Sequence, residues 1–181
     1  MLSKTTRVHQ RYLGLITPSH TRSNNSSSLP HQLHFGKQVQ ETIEDQLHAS
    51  GTVRGGPLFG HTVSGVVTVV AAPLGGYRVL DPALATDPLT FDPRYVLGWV
   101  DALNYTSETK IDWVGNWVMW PNSVLGSLVD DLAWIRRGRE TDLISTRHCL
   151  CAFGWDGDIL GARAYTAGCT LEEVTVLPTY L

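Results

Sequence analysis

The chain has 181 residues, 43% of them hydrophobic, with a formal net charge of -3 and a pI near 6.1. This length favours one domain, with a core large enough to fold without stabilising disulfide bonds or metal ions. The charge gives no electrostatic reason to expect a nucleic-acid or anionic-membrane partner. We find no apolar run of the roughly 20 residues that a membrane span needs, and no secretory signal. Three cysteines, an odd number, argue against a disulfide framework, so we expect a cytoplasmic protein.

The N-terminal residues differ in composition from the rest of the chain. The segment HTRSNNSSSLPHQLH, at 20–34, is rich in Ser, Asn and His and poor in β-branched and aromatic residues. Such a segment buries too little apolar surface to hold itself in place. We therefore divide the chain into a flexible or loosely docked arm at 1–32 and one domain at 33–181.

The first half of the domain predicts a helix followed by two strands. Apolar residues at every fourth position from Phe35 to Leu47 indicate an amphipathic helix of about three turns that ends near Gly51. The segment RGGPLFG, at 54–60, predicts a short strand and a glycine-rich turn, and 61–73 predicts a longer strand. Prolines and aspartates make 77–93 loop-like, although 77–80 could pair briefly as a strand.

The second half predicts two helices, a strand between them and a final hairpin. Asp-Pro is typical of a helix start, so we expect a helix over 92–105. A buried strand should cover 110–119, and a third helix 127–138. The segment 148–168 predicts a hairpin about a Trp-Asp-Gly-Asp turn, because Asp-Gly suits positive φ angles. The tail at 170–181 could add an edge strand.

Residue spacing on two strands predicts which side chains share a face. Trp113 and Trp117 are four residues apart, so a regular strand would place them together. Cys149 and Cys151 should likewise share one face, with His148 on the other. We expect the two cysteines to be buried and inert.

Helices and strands that mix without strict alternation indicate an α+β fold. Three parts of the chain form a recognisable series: GGPLFGH at 55–61, FDPRYVLGWVDAL at 91–103, and WVGNWVMWP with SLVDD within 113–131. In order and spacing, they resemble elements of the MPN/JAMM domain family. The likeness is to its prokaryotic JAB-type members and covers about residues 33–168; the hairpin at 150–165 resembles their closing strands. This resemblance implies an MPN (JAMM)-like mixed β-sheet flanked by about three helices.

The resemblance also shows what the chain lacks. Active members hold zinc with two histidines and an aspartate and use a glutamate as general base for isopeptide or peptide hydrolysis. The glutamate position is Val53, and the two histidine positions are Val118 and Trp120. Only Pro121 of the His-x-His-Pro turn remains. Since Val and Trp cannot bind zinc, we expect a catalytically degenerate member.

Two aspartates compete for the remaining ligand position. Asp131 has the spacing of the aspartate ligand, while Ser127 and Asp130 form a Ser-x-x-Asp one residue short of the usual register. The sequence of the loop 121–127 does not fix this register, so it does not decide which of the two aspartates occupies the ligand position. The plainer interpretation is that both aspartates lie in the first turn of a helix, where the helix dipole favours negative charge. Ser127 with Asp130 is also typical of a capping box.

The leading hypothesis is a metal-free MPN-like pseudoenzyme without catalytic residues or a cofactor. It would act as a protein-interaction or assembly module, either as a homo-oligomer or as the partner of an active peptidase or of a bacterial ubiquitin-like system. The indole ring of Trp120 has a large apolar surface and one N–H donor for contact with a partner. The candidate interaction residues are Trp120, Pro121, Val118, Val53 and His61.

Two alternatives stay open. A divergent JAMM-type metallo-isopeptidase or peptidase would hold zinc through His61, Asp130 or Asp131 with a donor from the histidine-rich arm. Its metal content would separate it from the pseudoenzyme. A small-ligand binding domain would instead use the vestigial cleft around Val53, Val118 and Trp120, and it predicts a sizeable apolar pocket.

Overall fold

The computed structural model describes residues 28–75, 87–91, 93–107, 110–168 and 173–181. These ranges contain eight strands and three helices. In chain order the elements are β1 (Gln32–Phe35), α1 (Lys37–His48), β2 (Arg54–Val63), β3 (Val66–Ala71), α2 (Pro93–Thr106), β4 (Asp112–Val124), α3 (Leu128–Glu140), β5 (Cys149–Asp156), β6 (Ile159–Ala167), β7 (Val174–Leu177) and β8 (Thr179–Tyr180). None of the helices in these ranges is long and apolar enough to cross a lipid bilayer.

The strands form one sheet that nearly closes into a barrel-like shape. Its order is β7-β6-β5-β4-β2-β3-β1-β8. Only Pro178 separates β7 from β8, yet β7 pairs with β6 at one edge and β8 pairs with β1 at the other. The Leu33 amide also donates to the Pro178 carbonyl oxygen at 3.0 Å. One short segment therefore bridges the two edges of the sheet.

The inside of the curved sheet holds the largest buried cluster, and α1 lies within it. Strands β1 to β7 all contribute side chains to this cluster, together with the buried stripe of α1. That stripe is Val39, Ile43 and Leu47. Trp117 is fully buried there, and its Nε1 donates to the Pro73 carbonyl oxygen at 3.1 Å.

The outer face carries the other two helices. Helix α2 packs Val96 and Val100 against Phe59 of β2 and Trp113 of β4. Helix α3 contributes Ile135 to a separate cluster, which includes buried residues of β4, β5 and β6. This last cluster holds α3 against β5, and the contact between Trp120 and Trp134 places the helix beside the C-terminal half of β4, the region that the family resemblance singles out.

The predicted MPN (JAMM)-like mixed sheet flanked by about three helices is wrong. The protein is mostly sheet, the sheet nearly closes, and α1 packs its buried stripe into the largest core cluster. Register shifts interrupt β2 at Leu58/Phe59 and at Phe59/Gly60. Irregularities of this kind bend a strand and increase its twist. A pattern of apolar residues indicates strands but contains no information about this curvature.

Most predicted elements lie close to where the sequence placed them, with three exceptions. The prediction missed β1, and it placed the turn between the first two strands too early. The chain reverses at Ser64 and Gly65, whose φ angles are 50° and 84°. Asn122 (φ 55°) lies within β4, which extends to Val124 rather than ending at Met119. Of the predicted arm, residues 1–27 lie outside the described residues, and so do residues 77–86 of the segment predicted to be loop-like.

The prediction that Trp113 and Trp117 share a face is also wrong. Leu58 pairs with Gly115 and Phe59 pairs with Trp113, so Val114 is an extra residue in β4. This bulge reverses the alternation: Trp113 packs with α2 on the outer face, while Trp117 lies in the inner cluster.

Candidate functional site

The positions that the resemblance assigns to the glutamate and the first histidine lie in the protein core. Val53 is 5% exposed and Val118 is 2% exposed. Val118 shares its buried cluster with Leu89, which is 2% exposed. Pro88 lies directly over β2, because a Cβ on Gly55 would meet the Pro88 carbonyl oxygen at 2.5 Å. Packed side chains therefore surround Val118, where the small-ligand hypothesis places a cleft.

An ion pair with α3 holds this covering segment in place. Asp87 accepts hydrogen bonds from Arg137 Nε at 2.8 Å and Nη2 at 2.6 Å. It also accepts bonds from the Leu89 amide at 2.9 Å and the Thr90 hydroxyl at 3.0 Å. Burial works against ionisation of Asp87, but these hydrogen bonds outweigh it and lower the pKa of the carboxyl group.

The start of α3 is fixed by the predicted capping box, which the structure confirms. The Asp130 carboxylate accepts hydrogen bonds from the Ser127 amide at 2.6 Å and from its hydroxyl at 2.8 Å. The bond from the Ser127 amide is the main cause of the lowered pKa of Asp130. Asp130 thus caps the helix while its side chain stays exposed to solvent.

The neighbouring Asp131 points inward and pairs with β6. Its side chain is 9% exposed, and it accepts hydrogen bonds from Arg163 Nε at 2.9 Å and from the Tyr165 hydroxyl at 2.5 Å. Arg163 also donates to the Gly126 carbonyl oxygen. Burial and the bond to Asp131 raise the pKa of Tyr165. The aspartate at the ligand spacing therefore binds a guanidinium group and a phenol of its own chain.

Trp120, at the second histidine position, lies on the surface. It is 53% exposed, and its ring centroid is 6.5 Å from that of Trp134 on α3. Pro121 beside it is half-buried. The tryptophan pair joins the end of β4 to the flank of α3, so Trp120 and the helix form one surface.

Further exposed apolar side chains follow Trp120 in the sequence, up to and along the first half of α3. We name the set the α3 surface: it consists of Trp120 (53% exposed), Val124 (74%), Leu128 (43%), Val129 (74%) and Leu132 (44%). Five large apolar side chains within 13 consecutive residues are thus open to solvent. Single exposed apolar residues are ordinary, but such a concentration is typical of an interaction site.

His61 does not belong to this surface. It pairs with Thr68 near the far end of β2, whereas Arg54 at the beginning of β2 pairs with Met119. Seven residues of strand separate the two ends, a distance of about 23 Å. The structure therefore does not bring His61 to Asp130 or Asp131, which the metallohydrolase alternative requires.

The remaining residues that could bind a metal ion are Cys149, Cys151 and His148, at or just before the start of β5. Cys149 and Cys151 share the inner face, as predicted, with their Sγ atoms 3.9 Å apart. Burial raises the pKa of Cys151 well above its ordinary value. On the other face, His148 stacks on Trp113 with the ring centroids 4.0 Å apart. Within the described ranges, no group of three or more His, Cys, Asp or Glu side chains is arranged to hold a metal ion.

Sequence reasoning missed the partners of the predicted residues. Arg163 and Tyr165 alternate along β6, so they share a face, but 32 and 34 residues separate them from Asp131. Asp87 and Arg137 are 50 residues apart. Without the fold, no spacing in the sequence indicates either pairing.

Comparison with known proteins finds a solved structure with a similar fold. No protein-family model and no curated protein matches the chain. Among solved structures, the chain is similar to the solution structure of protein DSY2949 from Desulfitobacterium hafniense, a structural genomics target. The TM-score is 0.58 and the identity 15%, over 83% of this chain and 92% of that chain. This likeness shows a shared fold alone, and the MPN/JAMM resemblance stays a prediction.

Proposed function

We propose that the protein is a non-catalytic interaction module that binds another protein through the α3 surface. The observation that carries this proposal is the exposure of Trp120 on β4 and of Val129 on α3, 53% and 74%, where the opposite face of the helix is firmly anchored. A rigid, apolar and exposed face suits a protein interface, because its side chains lose little conformational entropy on binding.

The contacts beneath α3 support this proposal. Asp131 fixes the helix to β6, Arg137 fixes it to the segment 87–91, and the capping box orders its first turn. These bonds position the helix: Asp131 pairs with Arg163, and Asp130 caps the first turn. The exposed side chains of the helix therefore have a fixed geometry.

Photo-crosslinking in cells tests the proposal. A photoreactive amino acid at Val129 should capture a protein, while the same group at Tyr105 should not. Tyr105 is a matched control because it is 93% exposed and lies on α2, outside the α3 surface. Equal capture at both positions, or none at Val129, would contradict the proposal. The substitution Val129→Asp should abolish capture from a probe at Trp120.

A further inference from the structure

A second exposed surface lies on the outer face of β1, β2, β3 and β8. The buried residues of β1 and β3 lie in the inner cluster, so the side chains that alternate with them point outward. Val63 of β2 pairs with the outward Val66. The Tyr180 ring of β8 stacks on the outward His34 of β1. We name this set the outer β surface: it consists of Gln32, His34, His61, Val63, Val66, Thr68, Val70 and Tyr180.

The outer β surface is apolar at four positions, and its eight residues include no Lys, Arg, Asp or Glu. Val63 is 63% exposed, Tyr180 51% and Val70 36%, while Val66 is half-buried. None of the four belongs to a buried cluster of the described residues. The solvent face of a sheet is usually polar, so an uncharged and partly apolar one is typical of a face that binds another segment.

The N-terminal arm joins the described domain at the margin of this surface. The His31 amide donates to the Gly65 carbonyl oxygen at 3.0 Å, and a Cβ on Gly65 would meet the Leu29 carbonyl oxygen at 2.8 Å. Gly65 lies in the turn between Val63 and Val66, two apolar residues of the outer β surface. The chain therefore enters the domain beside this surface.

The arm contains a short apolar stretch within reach of the surface. This stretch is Tyr-Leu-Gly-Leu-Ile at 12–16, and residue 16 is 12 positions from residue 28. An extended chain of that length spans about 40 Å. The outer β surface is four strands wide, or about 14 Å. The apolar stretch can therefore reach every residue of the surface.

The charges of the chain are divided between the arm and the rest. Residues 1–27 contain four of the 14 Lys and Arg residues and none of the 17 Asp and Glu residues. The remainder has ten basic and 17 acidic residues, so the arm is positive and the remainder is negative. This difference attracts the arm to its own domain. Because the arm is tethered, its effective concentration is about millimolar, and weak apolar contacts suffice for docking.

We propose that the apolar stretch at 12–16 packs on the outer β surface of the same chain. Its side chains cover Val63, Val70 and Tyr180, which are otherwise the most exposed apolar residues of the surface. The stretch then lies across the junction of β1 and β8, where the C-terminal strand joins the sheet. This inference does not depend on the α3 surface, which is formed by other elements.

A disulfide trap in the full chain tests this placement. Gly14→Cys keeps the apolar side chains of the stretch, Val63→Cys places a thiol on the outer β surface, and Cys169→Ser removes a native thiol. Mild oxidation with diamide should then form an intramolecular disulfide, identified by mass spectrometry of linked peptides. The control replaces Val63→Cys by Ala102→Cys, on the exposed side of α2. Reach does not separate the two positions, because 14 residues span up to about 45 Å.

The products of this trap decide the proposal. An intramolecular disulfide with Val63→Cys, but not with Ala102→Cys, supports it. A covalent dimer would show that the surface binds a second copy of the chain, which overturns it. Equal crosslinking of the two variants, or none, would show that the arm does not lie on the outer β surface.

Trypsin cleavage after Arg11 gives a second measurement without new cysteines. Val63→Ser removes apolar area from the outer β surface, so less of the arm is docked and cleavage should be about threefold faster or more. Ile159→Ser is the matched control, because Ile159 is 67% exposed beside the turn between β5 and β6. It should leave the rate unchanged. Equal rates for the wild type and Val63→Ser would overturn the proposal.

Discussion

Arg163 on β6 donates a hydrogen bond from its Nε to the carboxylate of Asp131 on α3, across 2.9 Å. This bond places a cation of the chain itself beside the aspartate that the family resemblance identifies with a zinc ligand. Both side chains are mostly buried, with 24% and 9% of their surfaces exposed. Removal of one partner therefore leaves the other charge poorly solvated.

We expect Arg163→Ala to lower the free energy of unfolding by about 2–3 kcal/mol, because Asp131 then lacks its buried counter-charge. Urea denaturation at pH 7 measures this change. Arg147→Ala is the control, since Arg147 is exposed and should cost less than about 0.5 kcal/mol. Equal losses for the two variants would show that Arg163 does not support α3.

The ion pair between Asp87 and Arg137 predicts a pH dependence of stability. The folded protein lowers the pKa of Asp87 below its ordinary value of 3.8, so the ionised form stabilises the fold above that pH. At pH 7, Asp87→Asn should cost about 1–2 kcal/mol. The difference between variant and wild type should shrink as the pH falls through the lowered pKa of Asp87. Urea denaturation at several pH values checks this, and a pH-independent difference would contradict it.

Asn116 predicts the largest effect of a single polar substitution. Its side chain is fully buried, accepts a bond from Trp113 Nε1 at 3.2 Å and donates to the Leu143 carbonyl oxygen at 2.6 Å. Asn116→Ala leaves both groups unsatisfied in the core and should cost about 2–4 kcal/mol. Thermal unfolding, with the exposed Gln38→Ala as control, measures the loss. A loss no greater than that of the control would show that the hydrogen bonds of Asn116 do not stabilise the fold.

Zinc binding separates the interaction module from the metallohydrolase alternative. On the proposed function, incubation with zinc followed by dialysis should leave no stoichiometric metal, and the melting temperature should not rise. Elemental analysis of the purified full chain gives the answer directly. About one retained zinc per chain, with a higher melting temperature, would contradict the proposed function.

The sequence was sufficient for elements that depend on local chemistry. The helix period from Val39 to Leu47, the last hairpin and the Ser127–Asp130 cap each use residues close together in the chain, and each is confirmed. Of the predicted Asp-Gly pair, Gly157 alone has a positive φ, because the two-residue turn is Gly157 and Asp158. Trp120, which the sequence offers as a candidate interaction residue, is 53% exposed, and its role stays a prediction.

Features that depend on distant residues could not be predicted in this way. The bulge at Val114 places Trp113 and Trp117 on opposite faces because β2 and β4 pair out of step. The β1 strand is only four residues long, and it exists because β3 and β8 supply partners on both sides. Sheet curvature and the Asp131–Arg163 pair have the same origin. Pairing between distant segments decided all of these features.

The bridge formed by residues 174–180 has a consequence for aggregation. An unpaired strand edge is a template on which other chains can add strands. In this fold, one short segment covers the outer edge of β6 and the outer edge of β1 together. Detachment of that segment would expose two templates in a single event, on strands rich in buried apolar residues. The propensity of the protein to form fibrils should therefore depend more on the attachment of its last strands than on the stability of its core.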